Sequence, residues 1–194
     1  MRGDEDLRPI VPEEPRREGL VALGLGLAAF ALYLRTLAPG LLFGDAGELQ
    51  FVPPTLGLVH PTGYPLYTLL GWLWSHLLPL RDAAWRMNLF SALWGGVAVG
   101  LTYRVAERLV LAATALAAWP RRLAAALAAG LFALSGLLWS QSVIAEVYTL
   151  HLSFVALILW LALRVGHAGS RRDWYALALA GGLSLAHHRT TLLL

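Results

Sequence analysis

Residues 19–38 read GLVALGLGLAAFALYLRTLA, twenty positions with a single charge, Arg35. A helix of about 20 apolar residues crosses the ~30 Å hydrocarbon core of a bilayer, so this stretch is long enough to span. Four further runs extend the pattern along the chain: Trp85–Tyr103, Leu123–Ile144, Val147–Leu163 and Trp174–Leu194. Composition agrees with them. Of 194 residues, 58% are hydrophobic and 14% charged, against about 45–50% and about 25% in an average soluble domain. A soluble globular enzyme and a disordered chain are both excluded. With no cysteine, so are a disulfide framework and a cysteine-based zinc site. The net charge of +3 does not mark a nucleic-acid binder, because the arginines sit between the apolar runs instead of forming one patch. The fold class expected is all-α, a polytopic transmembrane helical bundle of about five spans.

Tyr64–Leu78 is a sixth run, of about 15 residues, rich in Trp and Tyr and ended by Pro79. That length and composition suit an interfacial helix in the first outer loop. The arginines decide whether it crosses. If it does not, and the N-terminus is cytoplasmic, eleven arginines fall inside and four (Arg35, Arg81, Arg86 and Arg189) outside. If it does, every later loop flips and the count becomes seven against eight. The positive-inside rule favours the first arrangement.

Residues 1–18 hold ten of the 27 charges and three prolines. They read as a disordered cytoplasmic tail. Residues 19–194 read as the N-terminal part of a transmembrane domain belonging to a longer protein. The first run is an anchor and not a cleaved signal, because Ala29-Phe30-Ala31 is a poor cleavage site inside the apolar stretch.

In this orientation the unusual polar residues gather on one side. Asp45, Glu48 and His60 lie in the long first outer loop and Glu146 in the second outer turn. His187, His188 and Arg189 lie 14–16 residues beyond Asp173, about 21–24 Å up the last helix at ~1.5 Å per residue. An outer cavity lined by these groups is the candidate site.

Each group also has a plain structural reading. Gly44-Asp45-Ala46-Gly47-Glu48 has the spacing of a capping box, with Asp45 as N-cap and Glu48 at the third helical position. The same carboxylates can serve a general base near the membrane surface or hold a divalent cation. His60-Pro61-Thr62-Gly63-Tyr64-Pro65 is a forced turn before an aromatic belt, or a pair of hydrogen-bonding side chains facing the cavity. Glu146-Val147-Tyr148 places an acid at a helix N-terminus, which is favourable whatever the function. Arg189 has apolar neighbours; it either snorkels to the headgroups or binds an anion such as a lipid phosphate. Asp82, Glu107 and Asp173 read as loop or interface charges, and His151 as a satisfied helix residue.

Taken in order, these motifs, with His187-His188-Arg189-Thr190-Thr191-Leu192-Leu193-Leu194 as the last, resemble those of one membrane family. That family was long catalogued as a domain of unknown function. It includes the transmembrane O-mannosyltransferase of plexin and Met-type receptors, and it is similar to the GT-C superfamily of polytopic glycosyltransferases. The resemblance implies a GT-C-like fold and an inverting transfer of a sugar, mannose among the candidates. The donor would be a polyprenyl-phosphate-linked sugar and the acceptor a hydroxyl on protein or glycan, at the extracytoplasmic face. Asp45 would be the base, with Glu48 supporting it. His60, Tyr64, Glu146, Tyr148, His187, His188 and Arg189 would bind substrate. The setting expected is a multi-pass protein of a bacterial cytoplasmic membrane. The competing readings are a transporter or lipid flippase built on intramembrane charges, and a structural membrane subunit.

Overall fold

A computed structural model describes residues 15–61 and 63–194, and among these residues every regular element is helical. The long helices are α1 (Pro15–Arg35), α4 (Ala83–Ala113), α5 (Ala118–Ala133), α7 (Tyr148–Ala168) and α8 (Arg171–His187). Shorter ones are α2 (Asp45–Phe51), α3 (Pro65–Leu77) and α6 (Gly136–Ser142), with 3-10 turns at Pro53–Thr55 and Arg189–Leu193. By length and composition, three helices suit a membrane crossing, Arg17–Arg35, Ala83–Ala113 and Tyr148–His167. The pair α5 and α6, bent by 61°, supplies a fourth if it acts as one span.

Of the five expected spans, four have described helices that meet these criteria, α5 and α6 counted as one. α8, the fifth, has 17 residues, about 26 Å at ~1.5 Å per residue, at the lower end of the roughly 17–25 residues that cross a bilayer. It still runs back along α7, since His187 Nε2 lies 2.9 Å from the Val147 carbonyl. The interfacial helix is present as α3, whose 13 residues cannot cross. The tail expected over residues 1–18 lies, for residues 1–14, outside the described residues. Pro15 to Glu18 are not tail but the first turn of α1.

α1 and α4 form the spine. Where two helices meet in lipid, small residues let the backbones approach, because no hydrophobic drive separates helix from lipid tail. Gly96 and Gly100, four apart on α4, face Gly26 and Ala22 on α1. A Cβ on Gly26 would stand 2.8 Å from the Gly96 carbonyl oxygen, and one on Gly100 equally 2.8 Å from that of Ala22. Around this seam pack Ala29, Tyr33, Ala92, Val99, Tyr103, Ala125 and Ala129. The antiparallel pairing puts Glu18 beside Tyr103 at one end and Ala38 beside Asn88 at the other.

The ionisable groups divide between the two ends. At the first, Arg121 Nε donates to Glu107 at 3.0 Å and Arg122 Nε to Glu18 at 2.7 Å. The Tyr103 hydroxyl donates to Glu18 as well. Glu107 and Arg121 are each 2% exposed, so Glu107 is no loop charge; it holds a buried ion pair between α4 and α5. Asp173 pairs with Arg164 at 2.7 Å while closing a capping box with Ser170.

A Gly26→Val substitution drives a branched side chain into the α4 backbone, an overpacking that costs about 1–3 kcal/mol. It should lower the thermal unfolding midpoint in detergent. Gly24→Ala on the same helix meets nothing within 4 Å and should leave the midpoint unchanged or slightly raised.

Candidate active site

At the end away from Glu18, the loop from Ala38 to Gln50 is fastened to α4 by two buried amides. Asn88, fully buried, donates to the Ala38 carbonyl at 3.0 Å and accepts from Gln50 Nε2 at 2.8 Å. Gln50 also donates to the Gly40 carbonyl and accepts from the Leu42 amide. Gly47 is required here because a Cβ would collide with the Leu42 carbonyl oxygen. These contacts fix the start of α2 and with it Asp45 and Glu48.

The capping box is not formed. The N-cap is Gly44, at φ 69°, with no side-chain cap; a positive φ there suits glycine. Glu48 instead reaches across the loop. Its Oε1 accepts from the His60 amide at 2.8 Å and its Oε2 lies 2.6 Å from His60 Nδ1. Asp45 is exposed at the first position of α2, and no described residue donates a hydrogen bond to its carboxylate. Asp45, Glu48 and His60 each bring one ligand atom within 4.8 Å of the others. Two carboxylate oxygens and an imidazole nitrogen suit a divalent cation.

Tyr64 joins this acidic corner to a second cluster. It caps α3 in the left-handed region, φ 44° and ψ 56°, followed by Pro65. A bulky residue there costs about 1–2 kcal/mol, and such strain collects at functional sites. Its ring meets His60 at 5.7 Å, His188 at 5.5 Å and His187 at 6.4 Å between centroids. Tyr148 lies 6.2 Å from His188.

α8 ends at His187, so Arg189 is not at membrane depth on a continuous helix. It opens the 3-10 turn and is exposed, and its charge is felt at His188. His187 is 1% exposed. Since a carbonyl only accepts, His187 Nε2 carries the proton given to Val147, and its buried Nδ1 is an acceptor with no partner among the described residues.

Glu146 is not a helix cap either, because α7 begins at Tyr148 and its N-cap is Val147. The Ser91 hydroxyl holds both the amide and the carbonyl of Glu146, at 3.0 and 3.2 Å. Burial, and then the charge of Asp45, push the Glu146 carboxyl above its ordinary range. Glu146 therefore keeps a proton more readily than a surface glutamate does.

Three groups join the cluster that sequence reading passed over. The His151 ring lies tilted against His188, 4.6 Å between centroids, and the Thr190 hydroxyl bridges the two rings, 2.9 Å from His151 Nε2 and 2.7 Å from His188 Nδ1. Tyr67, fully buried, lies over His187. A signal for His151 is present in the sequence: it is an ionisable residue inside an apolar span, three positions from Tyr148 and so on the same helix face. Thr190 and Tyr67 carry no such mark.

Residues 45–194 match the family model of the protein O-mannosyl-transferase TMEM260 N-terminal domain. The chain belongs to the TMEM260 family. It is 37% identical over 180 residues to a mouse protein named protein O-mannosyl-transferase TMEM260, covering 90% of this chain and 24% of that protein. A Dictyostelium discoideum protein of the same name is 31% identical over 139 residues, covering 71% of this chain and 16% of its own length. The chain thus spans about a quarter or less of these relatives. No solved structure matches. TMEM260 membership and the apolar helices make this an integral membrane protein. Both relatives are eukaryotic, which gives the expected bacterial membrane no support.

The bond to Glu48 raises the His60 midpoint above its ordinary 6.5, and the same bond lowers that of Glu48 below 4.5. The contact's contribution is therefore complete between those two values. It is lost as pH rises through the raised His60 midpoint, or falls through the lowered Glu48 midpoint. In a pH titration followed by imidazole NMR, Glu48→Gln should move the His60 midpoint down. A midpoint unmoved by that substitution would contradict the pairing.

Proposed function

We propose that this chain supplies the membrane-embedded active site of a protein O-mannosyltransferase of the GT-C type, working at the extracytoplasmic face. The donor is a mannose linked to a polyprenyl phosphate and the acceptor a hydroxyl group of a protein. The observation that carries this reading is the convergence of Asp45, Glu48, His60, Glu146, His187 and His188 on one end of the bundle. A donor anchored in lipid presents its sugar there, and a carboxylate at that level meets a water-borne acceptor.

Asp45 is the base. It takes the proton of the acceptor hydroxyl as that oxygen attacks the anomeric carbon. The bond from carbon to phosphate oxygen breaks, the configuration inverts, and the phosphate leaves with the bonding electrons. Glu48 and His60 position the loop that carries Asp45. His187, His188, Tyr64 and Tyr148 line the place of the sugar and phosphate. Arg189, fully charged with a planar fork of donors, reaches the leaving phosphate from the adjoining turn. Preorganised donors of this kind stabilise leaving-group charge without reorganisation.

A transporter or flippase asks for polar groups near mid-membrane. Here the middle of the α1 and α4 seam is glycine and alanine, which favours the transferase. In the intact protein, Asp45→Asn should lower mannose transfer by about 10²–10⁴-fold, the range of general-base catalysis, at unchanged expression. Turnover equal to the parent would remove Asp45 as the base.

The three ligand atoms of Asp45, Glu48 and His60 favour one addition. A divalent cation held there would supply positive charge for the departing phosphate. Manganese titration followed by electron paramagnetic resonance should show one site that is lost in both Asp45→Asn and His60→Ala. Binding unchanged in both variants would leave the protein groups to act without a metal.

A further inference from the structure

His151, Thr190 and His188 form a chain of hydrogen bonds whose direction the geometry fixes. α8 ends at His187, and His188 caps the 3-10 turn that follows, in extended backbone at φ -146° and ψ 122°. The turn brings Thr190 back to the His188 ring. Its amide nitrogen lies 3.3 Å from His188 Nδ1, and its hydroxyl oxygen 2.7 Å from the same nitrogen. That oxygen is also 2.9 Å from His151 Nε2, on α7. Thr191, buried, ties the turn to α8, with its hydroxyl 2.6 Å from that of Ser184.

A backbone amide can only donate. His188 Nδ1 is therefore the acceptor and carries no proton. The Thr190 hydroxyl faces the same bare nitrogen and has to donate to it as well. With its one hydrogen engaged, the oxygen can only accept from His151, so His151 Nε2 carries a proton. The chain runs one way, from the His151 N–H to the Thr190 oxygen and from the Thr190 O–H to His188.

The bond at one imidazole nitrogen sets the state of the other. His151 is left with a bare Nδ1, which is buried and has no partner among the described residues. His188 is left with its proton on Nε2, across the ring from Thr190. His188 is partly exposed, and no described residue accepts from this N–H. Tyr64 and Tyr148 stand beside the same ring, at 5.5 and 6.2 Å between centroids. These are the residues that the transferase reading sets around the sugar and its phosphate.

We propose, resting on that reading, that Thr190 and His151 are positioning residues that hold the His188 Nε2–H ready to bond an oxygen of the lipid-linked phosphomannose. His188 makes the contact. The other two decide which of its nitrogens is protonated and where the ring points. A hydrogen-bond donor fixed before the substrate arrives needs no reorganisation when it does. The same arrangement keeps His188 from serving as a base, because its bare nitrogen already accepts from Thr190 twice.

Two measurements on the purified protein in detergent test the bond direction and the role separately. With histidine labelled by nitrogen-15, the His151 Nε2–H should give a one-bond proton–nitrogen cross-peak, shielded from exchange by Thr190. His188 Nδ1 should show the shift of an unprotonated nitrogen. Thr190→Val removes the hydroxyl at nearly constant volume and should erase the His151 cross-peak, whereas Thr190→Ser should keep it. Binding of a short-chain prenyl phosphomannose, followed by calorimetry, should weaken about tenfold in Thr190→Val, the order of one hydrogen bond. It should return to the parent value in Thr190→Ser. A protonated His188 Nδ1 would overturn the bond direction and the proposal with it. Binding unchanged in Thr190→Val, or weakened as much in Thr190→Ser, would overturn the role and leave the transferase reading in place. A parent protein that binds no phosphomannose would overturn both.

Discussion

The crossing of α1 and α4 is the contact on which the other elements depend. Gly26 against Gly96 and Gly100 brings two backbones together without side chains between them, and the antiparallel sense of that contact sorts every later segment to one end or the other. A bilayer leaves a charge in mid-membrane with nothing to bond to. The chain answers by placing its ionisable groups beyond the seam. Glu18, Glu107, Arg121 and Arg122 pair at one end, and Asp45, Glu48, His60 and Glu146 collect at the other.

The two ends use their charges differently. At the first, carboxylates and guanidiniums are matched in buried pairs that tie α1, α4 and α5, a device that fixes geometry at the cost of desolvation. At the second, the acids are left close together and incompletely matched. Among the described residues Asp45 is exposed without a hydrogen-bond donor and the His187 Nδ1 is buried without a partner, while Glu146 feels Asp45 through a partly buried setting. The amides of Gln50 and Asn88 and the hydroxyl of Ser91 supply the rigidity that the acids themselves lack.

Much of the fold was legible because the membrane simplifies the code. Run length alone located α1, α4, α7 and the short α3, and counting arginines separated the two ends correctly. The bend between α5 and α6 has only Ser135-Gly136 to mark it within a run long enough to read as one span, and the break rests on Ser135 capping α6. The end of α8 was missed for a similar reason: His187 to Leu194 carries no glycine or proline to announce a stop.

Of the site, Asp45, Glu48, His60, Tyr64, Glu146, His187 and His188 could be picked out by residue type and by motif. Their local roles could not. Sequence spacing suggests that Glu48 turns back to cap its own helix, whereas it bonds His60 twelve residues away. His151 reads as a plain helix residue, because one histidine on a helix carries no mark until its neighbours across the bundle are known.

The central claim is that one end of the bundle gathers all the active-site groups, and the absence of cysteine from the sequence makes it directly measurable. Single-cysteine variants Asp45→Cys, Arg189→Cys and Arg172→Cys are treated in sealed vesicles with a membrane-impermeant maleimide. Positions 45 and 189 should be modified from the same side of the membrane and position 172 from the other. Modification of 45 and 189 from opposite sides would contradict the account.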